Sequence, residues 1–198
     1  DQTSTFGILD YTLLSAPGAP LKQALLDAGM GKDIMGSYED GIYQPFFSIV
    51  AKNADPKKKD EFVALIRSTL EEIVKKGIDK KAILAGINYM EFRFREADYA
   101  SYPKGLMYGL DVFDSWLYDD HHPFDYLCKL KVFENLKEKA QTRYFEDLIK
   151  EYLLDNTHAS IVVVNPKRGL AAQRDKALEE KLEAYKSSLS KEEVEAKL

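Results

Sequence analysis

The chain has 198 residues, of which 45% are hydrophobic, 31% charged and 12% aromatic. That apolar share is ordinary for a globular protein and excludes disorder over most of the length. The 28 Lys and Arg against 33 Asp and Glu give a formal net charge of −5, so no basic excess points to nucleic acid. The longest apolar runs, such as 161–164, are too short to span a bilayer. We therefore expect neither a nucleic-acid nor a membrane partner.

Helical spacing of apolar residues predicts the first two helices. The residues that recur at this spacing are Phe6, Leu9, Leu13 and Leu14. The stretch from Pro17 to Pro20 breaks the pattern. Pro20 can then open a second helix over 21–28, and Gly29 is its predicted stop.

Residues 34–52 change to strand character. Asp40-Gly41 lies between two β-prone stretches, which is the pattern of a hairpin turn. The run Phe46, Phe47, Ile49 and Val50 predicts a strand that is buried on both faces. Pro45 cannot donate to a ladder, so it should stand at the start of that strand or on an edge.

The middle of the chain reads as a series of helices. Asp55-Pro56 and Asp79 are cap signals that predict the starts of two long helices, the first ending at Gly77. Further helices are predicted over 106–118, within 125–139 and from Thr142 to Asn156, with a loop over 119–123.

The end of the chain changes character twice. Ala159–Val164 is the clearest strand pattern, and Pro166 ends it. From Lys167 onward the chain is dense in charge, with an apolar seam stepping by four, three and four residues, typical of a helical hairpin or coiled coil. The seam residues are Leu178, Leu182, Tyr185 and Leu189. We therefore predict a domain over 1–166 and a helical segment over 167–198.

The order of these elements predicts an α+β fold, with helices layered on a small and mostly antiparallel sheet. Three strands are few for such a sheet, so we expect missing strands upstream of Asp1. Ser190 to Glu193 forms a capping-box pattern that announces another helix just before the last residue. These features predict a piece of a longer protein, whose exposed strand edge or helical seam would favour self-association.

Three positions could suggest metal or nucleophilic chemistry. His121-His122 beside Asp119 and Asp120 is the densest group of possible metal ligands. Consecutive histidines on a loop point apart, so a solvated loop is the favoured interpretation. His158 is interpreted as a local hydrogen-bonding residue, and Cys128, in an aromatic stretch, as a small core residue. As the single cysteine, Cys128 excludes an internal disulfide framework and multi-cysteine zinc sites.

The run from Asn88 to Glu96 is the most unusual polar stretch. Glu91 and Arg95 are four residues apart and can pair on a helix. An ion-paired helix surface, or a network buried between helix layers, is favoured over acid–base chemistry. The sequence also lacks H-E-x-x-H, H-x-x-E-H, P-loop and G-x-S-x-G motifs. No catalytic, cofactor-binding or metal-binding residue is therefore assigned to this chain.

Short motifs follow one another in a fixed order along the whole chain. They are Leu9–Leu14, Pro20–Leu26, Gly29–Gly31, Gln44–Ile49, Gly77–Asp79, Asn88-x-x-Glu91-Phe92-x-x-Arg95-Glu96, Pro103–Leu106, Trp116–Tyr118, Leu148-Ile149 and Asn156-x-His158. Each is weak alone. Together they resemble the second domain of presequence-protease-like members of the pitrilysin/insulinase zinc metallopeptidases. Val50–Asn53 and Ala97–Tyr102 depart from that pattern, which has glycines or a more polar loop there.

The resemblance implies a non-catalytic domain that lacks its opening strand and runs into the hairpin joining two halves of a longer enzyme. Zinc would be held outside this chain, by the histidines of H-x-x-E-H and a downstream glutamate, so this chain alone is expected to be inactive. The implied partners are the catalytic domain and C-terminal half of the same polypeptide, and an unstructured peptide substrate. We expect a bacterial cytoplasmic location, with a mitochondrial or other organellar one as the alternative.

Three functional hypotheses remain open at this point. The first is a structural and chamber-lining segment of a zinc peptidase that degrades oligopeptides. The second is a scaffold or binding module that uses the same fold without catalysis. The third is an unrelated enzyme that uses His121, His122 and either Asp119 or Asp120.

Overall fold

The computed structural model describes residues 2–97, 99–190 and 193. The chain divides into two compact units, Asp1–Ala159 and Ser160–Leu198. The first unit contains α1 (Gln2–Asp10), α2 (Pro20–Asp27), β1 (Asp33–Glu39), β2 (Phe46–Lys52), α3 (Lys59–Lys76), α4 (Lys80–Glu96), α5 (Lys104–Trp116), α6 (Leu130–Lys139) and α7 (Tyr144–Leu148). The second unit contains α8 (Leu170–Ser188). This helix-rich architecture with a small antiparallel sheet confirms the predicted α+β class. None of the helices within the described ranges is long and apolar enough to cross a membrane.

The core of the first unit forms around α1 and the π-helical turn Tyr11–Ser15 that extends it. Leu9, Leu13 and Leu14 are 0–1% exposed there, as their helical spacing predicts. Ile8 is completely buried beside them. Gly86 of α4 permits close approach, because a Cβ at that position would lie 3.1 Å from Thr12 Oγ1 and 3.3 Å from Ile8 Cγ2. The first helix therefore packs against other elements of its own unit, among them α4 and β1.

The predicted hairpin is confirmed, with a longer turn than a two-residue Asp-Gly connection. β1 and β2 pair antiparallel from Asp33↔Lys52 to Glu39↔Phe46, so residues 40–45 form the loop. Pro45 directly precedes β2, as predicted. The prediction that β2 is buried on both faces is wrong, since Phe46 and Val50 are 50% and 46% exposed. Helices cover only the face that carries Ile34, Tyr38, Phe47, Ile49 and Ala51.

The predicted starts and ends of the long helices are confirmed. Asp55 Oδ1 accepts the backbone N–H of Lys57 at 3.0 Å, at the 3₁₀ turn Pro56–Lys58 that leads into α3. Asp79 Oδ1 accepts the N–H of Lys81 at 2.9 Å and caps α4. Gly77, with φ of +88°, ends α3 in a conformation that side chains disfavour.

The helical predictions for the second half of this unit are also confirmed. A 3₁₀ turn, Asp125–Leu127, and α6 occupy the predicted stretch 125–139. The helix predicted after Thr142 consists of α7 and a π-helical continuation, Ile149–Leu154. Thr142 Oγ1 accepts the N–H of Tyr144 at 3.2 Å.

The strand predicted over Ala159–Val164 is wrong for the described part of the chain. No strand includes these residues, and Val162 and Val164 are 80% and 87% exposed. Within the described residues, the backbone groups of 160–164 make no hydrogen bond of the ladder type. A strand needs a partner to satisfy those groups, and the sheet of the described residues has only two strands.

The second unit consists mainly of the predicted charged helix, α8. Its seam residues Leu178, Leu182 and Tyr185 are 52–57% exposed. Ser190 and Glu193 make both reciprocal hydrogen bonds of the predicted capping box, at 2.8 Å and 3.2 Å. The helix announced by that box lies outside the described residues. The boundary at 166 between the predicted domain and the predicted helical segment stays a prediction.

Candidate functional site

The histidine loop lies open on the surface. His121, His122, Asp119 and Asp120 are all exposed. The backbone N–H of His121 donates to Asp119 Oδ1 at 2.9 Å, and His122 Nδ1 lies 3.6 Å from Asp125 Oδ2. Over residues 2–97, 99–190 and 193, no three His, Cys, Asp or Glu side chains gather as metal ligands. This loop therefore has the geometry of a local turn.

The structure agrees with the prediction for His158 and contradicts the prediction for Cys128. The backbone N–H of His158 donates to Asn156 Oδ1 at 2.8 Å, in keeping with a local hydrogen-bonding role. The prediction that Cys128 is a small core residue is wrong, because its thiol is exposed. Its aromatic neighbour Phe124 is itself 61% exposed, so this stretch lies on the surface despite its apolar composition.

The polar run on α4 forms an ion-pair network centred on Glu91. This residue is 8% exposed and accepts two hydrogen bonds at Oε1 from Arg95, at 2.8 Å and 2.6 Å. Its Oε2 accepts a hydrogen bond from Lys137 of α6. The rings of Phe94 and Phe133 lie 5.9 Å apart and join the same two helices. The predicted Glu91–Arg95 pair is confirmed, within a network that links α4 to α6.

The electrostatics of Glu91 favour a structural role. The hydrogen bond from Lys137, followed by that from Arg95, lowers the pKa of the Glu91 carboxyl. A carboxylate held ionised by two cations is a poor proton acceptor at neutral pH, because the base must gain a proton. Within the run from Asn88 to Glu96, the Glu91 carboxylate therefore links α4 to α6 through its ion pair with Lys137.

A second polar group, missed by the sequence reasoning, lies where the hairpin loop meets α5. Burial raises the pKa of Asp40, while the nearby Lys129 ammonium opposes that rise. Burial, with the charges of Asp40 and Asp111, also raises the pKa of Asp114. Gly41 permits this approach, since a Cβ on it would lie 2.7 Å from Asp114 Oδ1.

The same group includes a tyrosine with an altered acidity. The hydroxyl of Tyr99 donates to Asp111 Oδ2 at 3.0 Å. Burial, together with that hydrogen bond and the Asp111 charge, raises the pKa of Tyr99 to about 12. A tyrosine with this pKa stays protonated at neutral pH and acts as a hydrogen-bond donor.

The signal for this group in the sequence is faint. Asp111 and Asp114 are three residues apart on a helix with few charges, which hints at a shared side. Their meeting with Asp40 depends on how the hairpin loop packs on α5, and no local pattern contains that information.

Comparison with known proteins gives relatives that match nearly the whole chain. No family model matches. Protein HypA of Clostridium perfringens is 44% identical over 92% of this chain and 19% of its own length. Presequence protease 1, chloroplastic/mitochondrial, of Arabidopsis thaliana is 30% identical over 95% of this chain and 18% of its own length. A mitochondrial presequence protease of Schizosaccharomyces pombe is 24% identical over 98% of this chain and 19% of its own length.

The chain is similar to one segment of the presequence proteases. It spans about a fifth of the length of the curated relatives it matches. The resemblance to presequence proteases that was inferred from the ordered motifs is confirmed as a similarity to one segment of these proteins. The names of the Arabidopsis thaliana and Schizosaccharomyces pombe relatives include organellar locations, chloroplastic/mitochondrial and mitochondrial.

Proposed function

We propose that this chain is a non-catalytic supporting segment of a longer zinc-dependent metalloendopeptidase of the pitrilysin/insulinase family, which degrades unstructured oligopeptides. The observation that supports this most is the similarity to presequence proteases over almost the whole chain and over a fifth of their length. The sequence carries no H-x-x-E-H motif, in keeping with catalysis elsewhere in the longer protein.

The proposed zinc is held outside this chain. The described residues do not fit a zinc site, because no three potential ligands converge among them. In such a peptidase the bound metal polarises the peptide carbonyl and lowers the pKa of a water molecule. Within the proposal, this segment contributes a wall of the substrate chamber and contacts with the catalytic domain and the C-terminal half.

Two stretches are proposed to make those contacts, Gln44–Lys52 and Asn88–Glu96. Both place an exposed aromatic side chain beside side chains that are fixed by packing or pairing: Phe47 and Ile49 are partly buried against the core, and Glu91 is buried. Phe46 is 50% exposed and Phe92 is 62% exposed, while Glu91 between the helices holds α4 in place. Exposed aromatics on a fixed support are typical anchors of protein interfaces.

The location follows the same proposal. We propose the bacterial cytoplasm, supported by the identity to a bacterial protein, with mitochondria or another organelle as the alternative. The mitochondrial and chloroplastic locations in the names of the eukaryotic relatives support the alternative.

The proposal is tested by reading the gene on both sides of this segment and assaying the longer protein. We expect an upstream H-x-x-E-H, bound zinc in the longer protein and cleavage of an unstructured peptide. In the longer protein, Phe46→Ala and Phe92→Ala should lower activity or stability. In this chain alone, where both side chains are exposed, the same changes should leave stability within about 0.5 kcal/mol.

Two results would contradict the proposal. A reading frame that begins and ends near these residues would favour a scaffold or binding module with the same fold. Stoichiometric zinc retained by this chain alone, and lost in a His121→Ala/His122→Ala double variant, would favour the unrelated enzyme. Unchanged activity and stability in the Phe46 and Phe92 variants of the longer protein would remove the two stretches from the proposed contacts.

A further inference from the structure

The helix α5 turns an apolar side outward. Leu106, Leu110, Phe113 and Leu117 are spaced four, three and four residues apart, so they lie on one face of the helix and its last turn. They are 54%, 48%, 48% and 70% exposed. The indole of Trp116 stacks on the Phe113 ring, with centroids 6.1 Å apart and planes 10° apart, and extends this surface. We call these five side chains the α5 face.

Toward the C-terminal end of α5, the opposite side contacts the rest of its unit through polar side chains. Ser115, the one buried residue of this fully described helix, lies on roughly the opposite side from Leu106 and Leu110. Its Oγ lies 2.9 Å from the carbonyl oxygen of Pro123 and 3.2 Å from that of Val112, so its one O–H has an acceptor in either direction. Asp111 likewise accepts a hydrogen bond from Tyr99 on this inner side.

This polarity is the reverse of that of an ordinary surface helix. Such a helix buries its apolar stripe and shows charge to water. The α5 face contains no charged side chain, and contiguous apolar surface of this kind marks an interaction site. Phe113 and Trp116, the two aromatic residues of this face, are large aromatics of the kind found at the energetic centres of interfaces.

We propose that the α5 face docks on a part of the longer polypeptide that lies outside these residues. The inference rests on the proposed function. The curated relatives are about five times as long as the segment they share with this chain, so most of such a polypeptide is available to cover it. An uncharged surface fits a permanently linked apolar surface, since permanent interfaces are more apolar than transient ones.

The test measures alkylation of a thiol placed in the α5 face. Leu110→Cys is made in a Cys128→Ser background, both in this chain and in the longer polypeptide, and the rate with iodoacetamide is compared with the rate in denaturant. We expect the native rate in the longer polypeptide to be at least tenfold below that in this chain. The matched control is Asp60→Cys on α3, whose carboxylate side chain is 94% exposed, and it should react equally in both.

Three results would overturn the proposal. Equal rates for Leu110→Cys in both proteins would mean that nothing covers the face. Protection in this chain that grows with its concentration would assign the face to a second copy. Protection in the longer polypeptide only after an unstructured peptide is added would assign it to substrate. Protection in a longer polypeptide that lacks peptidase activity would support the interface while contradicting the proposed function.

Discussion

The two apolar helices α1 and α5 have opposite relations to water. In α1, Ile8 and Leu9 are completely buried against other elements of the first unit. In α5, Leu110 and Phe113 are each 48% exposed. The helix contacts its own unit through Ser115, Asp111 and Asp114. Both helices have apolar patterns, yet only the first finds its partners within the described chain. The difference shows that the apolar side chains of α1 are packed within the described chain and that those of α5 are not.

The second unit repeats the pattern seen in α5. Residues 160–164 combine a strand-like apolar sequence with exposure of 44–87% from Ile161 to Val164. An apolar strand and an apolar helix face that both lie open are features of surfaces that associate. We infer that the core of the first unit packs within this chain, and that further protein covers the outward face of α5 and residues 160–164.

The largest effect should come from a matched pair of leucine truncations. Leu9→Ala removes a side chain that is 0% exposed, and it should lower the free energy of unfolding by about 3 kcal/mol, because it leaves a cavity. Leu110→Ala removes a side chain that is 48% exposed, and it should change this quantity by less than about 1 kcal/mol in this chain. Urea unfolding of the two variants measures the comparison. Equal losses would mean that α5 is packed as tightly as α1.

A smaller effect should follow from removing the charge of Glu91, which is satisfied within its own unit. Glu91→Gln should cost roughly 1–2 kcal/mol at neutral pH, since Arg95 and Lys137 are partly exposed and lose only part of their stabilisation. The folded pKa of Glu91 is lowered, so its contribution is present above the unfolded value of about 4.3. That contribution is lost as the pH falls through the folded pKa.

The measurement is the free energy of unfolding of both proteins from about pH 7 to pH 3. The gap between wild type and Glu91→Gln should close toward the acid end. The control is Glu96→Gln, an exposed carboxyl on the same helix, which should change stability by less than about 0.5 kcal/mol at every pH. A gap for Glu91→Gln that widens on acidification would contradict the assigned network.

The smallest effect on stability is expected in the open segment 160–164. We propose that this chain self-associates through this segment or through the seam of α8. Sedimentation velocity should show a sedimentation coefficient that rises with concentration. Val162→Lys should weaken that rise if the segment is responsible, and Leu178→Lys should do so if the seam is. Both changes should alter monomer stability by less than about 0.5 kcal/mol, because the side chains are exposed.

One control variant and one contradicting result test this prediction. Glu71→Lys on α3 changes charge at an exposed position outside both surfaces, and it should leave the association unchanged. A sharp monomer boundary for wild type at high concentration would refute self-association through either surface.

Local signals made much of the fold predictable from the sequence. The caps at Asp55 and Asp79 and the positive φ at Gly77 act within one turn of the chain, so their residues specify helix ends directly. The Glu91–Arg95 pair was predictable for the same reason, since it lies within one helix. The hairpin was predictable from its strand propensities, although its loop is longer than the Asp-Gly signal suggests.

The remaining features depend on partners that a local pattern does not contain. The run over 159–164 has strand propensity, but the described residues offer no partner strand. An apolar stretch predicts that its side chains will be buried, but it does not show whether the same chain or another part of the protein buries them. For this reason the sequence wrongly predicts a core position for Cys128 and does not show that the apolar side of α5 faces outward. The meeting of Asp40 with Asp114 likewise needed the packing of distant segments.

We infer that α1 finds all its packing partners within this chain, and that further protein covers α5 and residues 160–164. Hydrogen–deuterium exchange, measured by mass spectrometry on this chain and on the longer polypeptide, tests it most directly. We expect equal protection of α1 and α4 in both proteins, and at least tenfold slower exchange of α5 and 160–164 in the longer one. Equal exchange of α5 and 160–164 in the two proteins would contradict it.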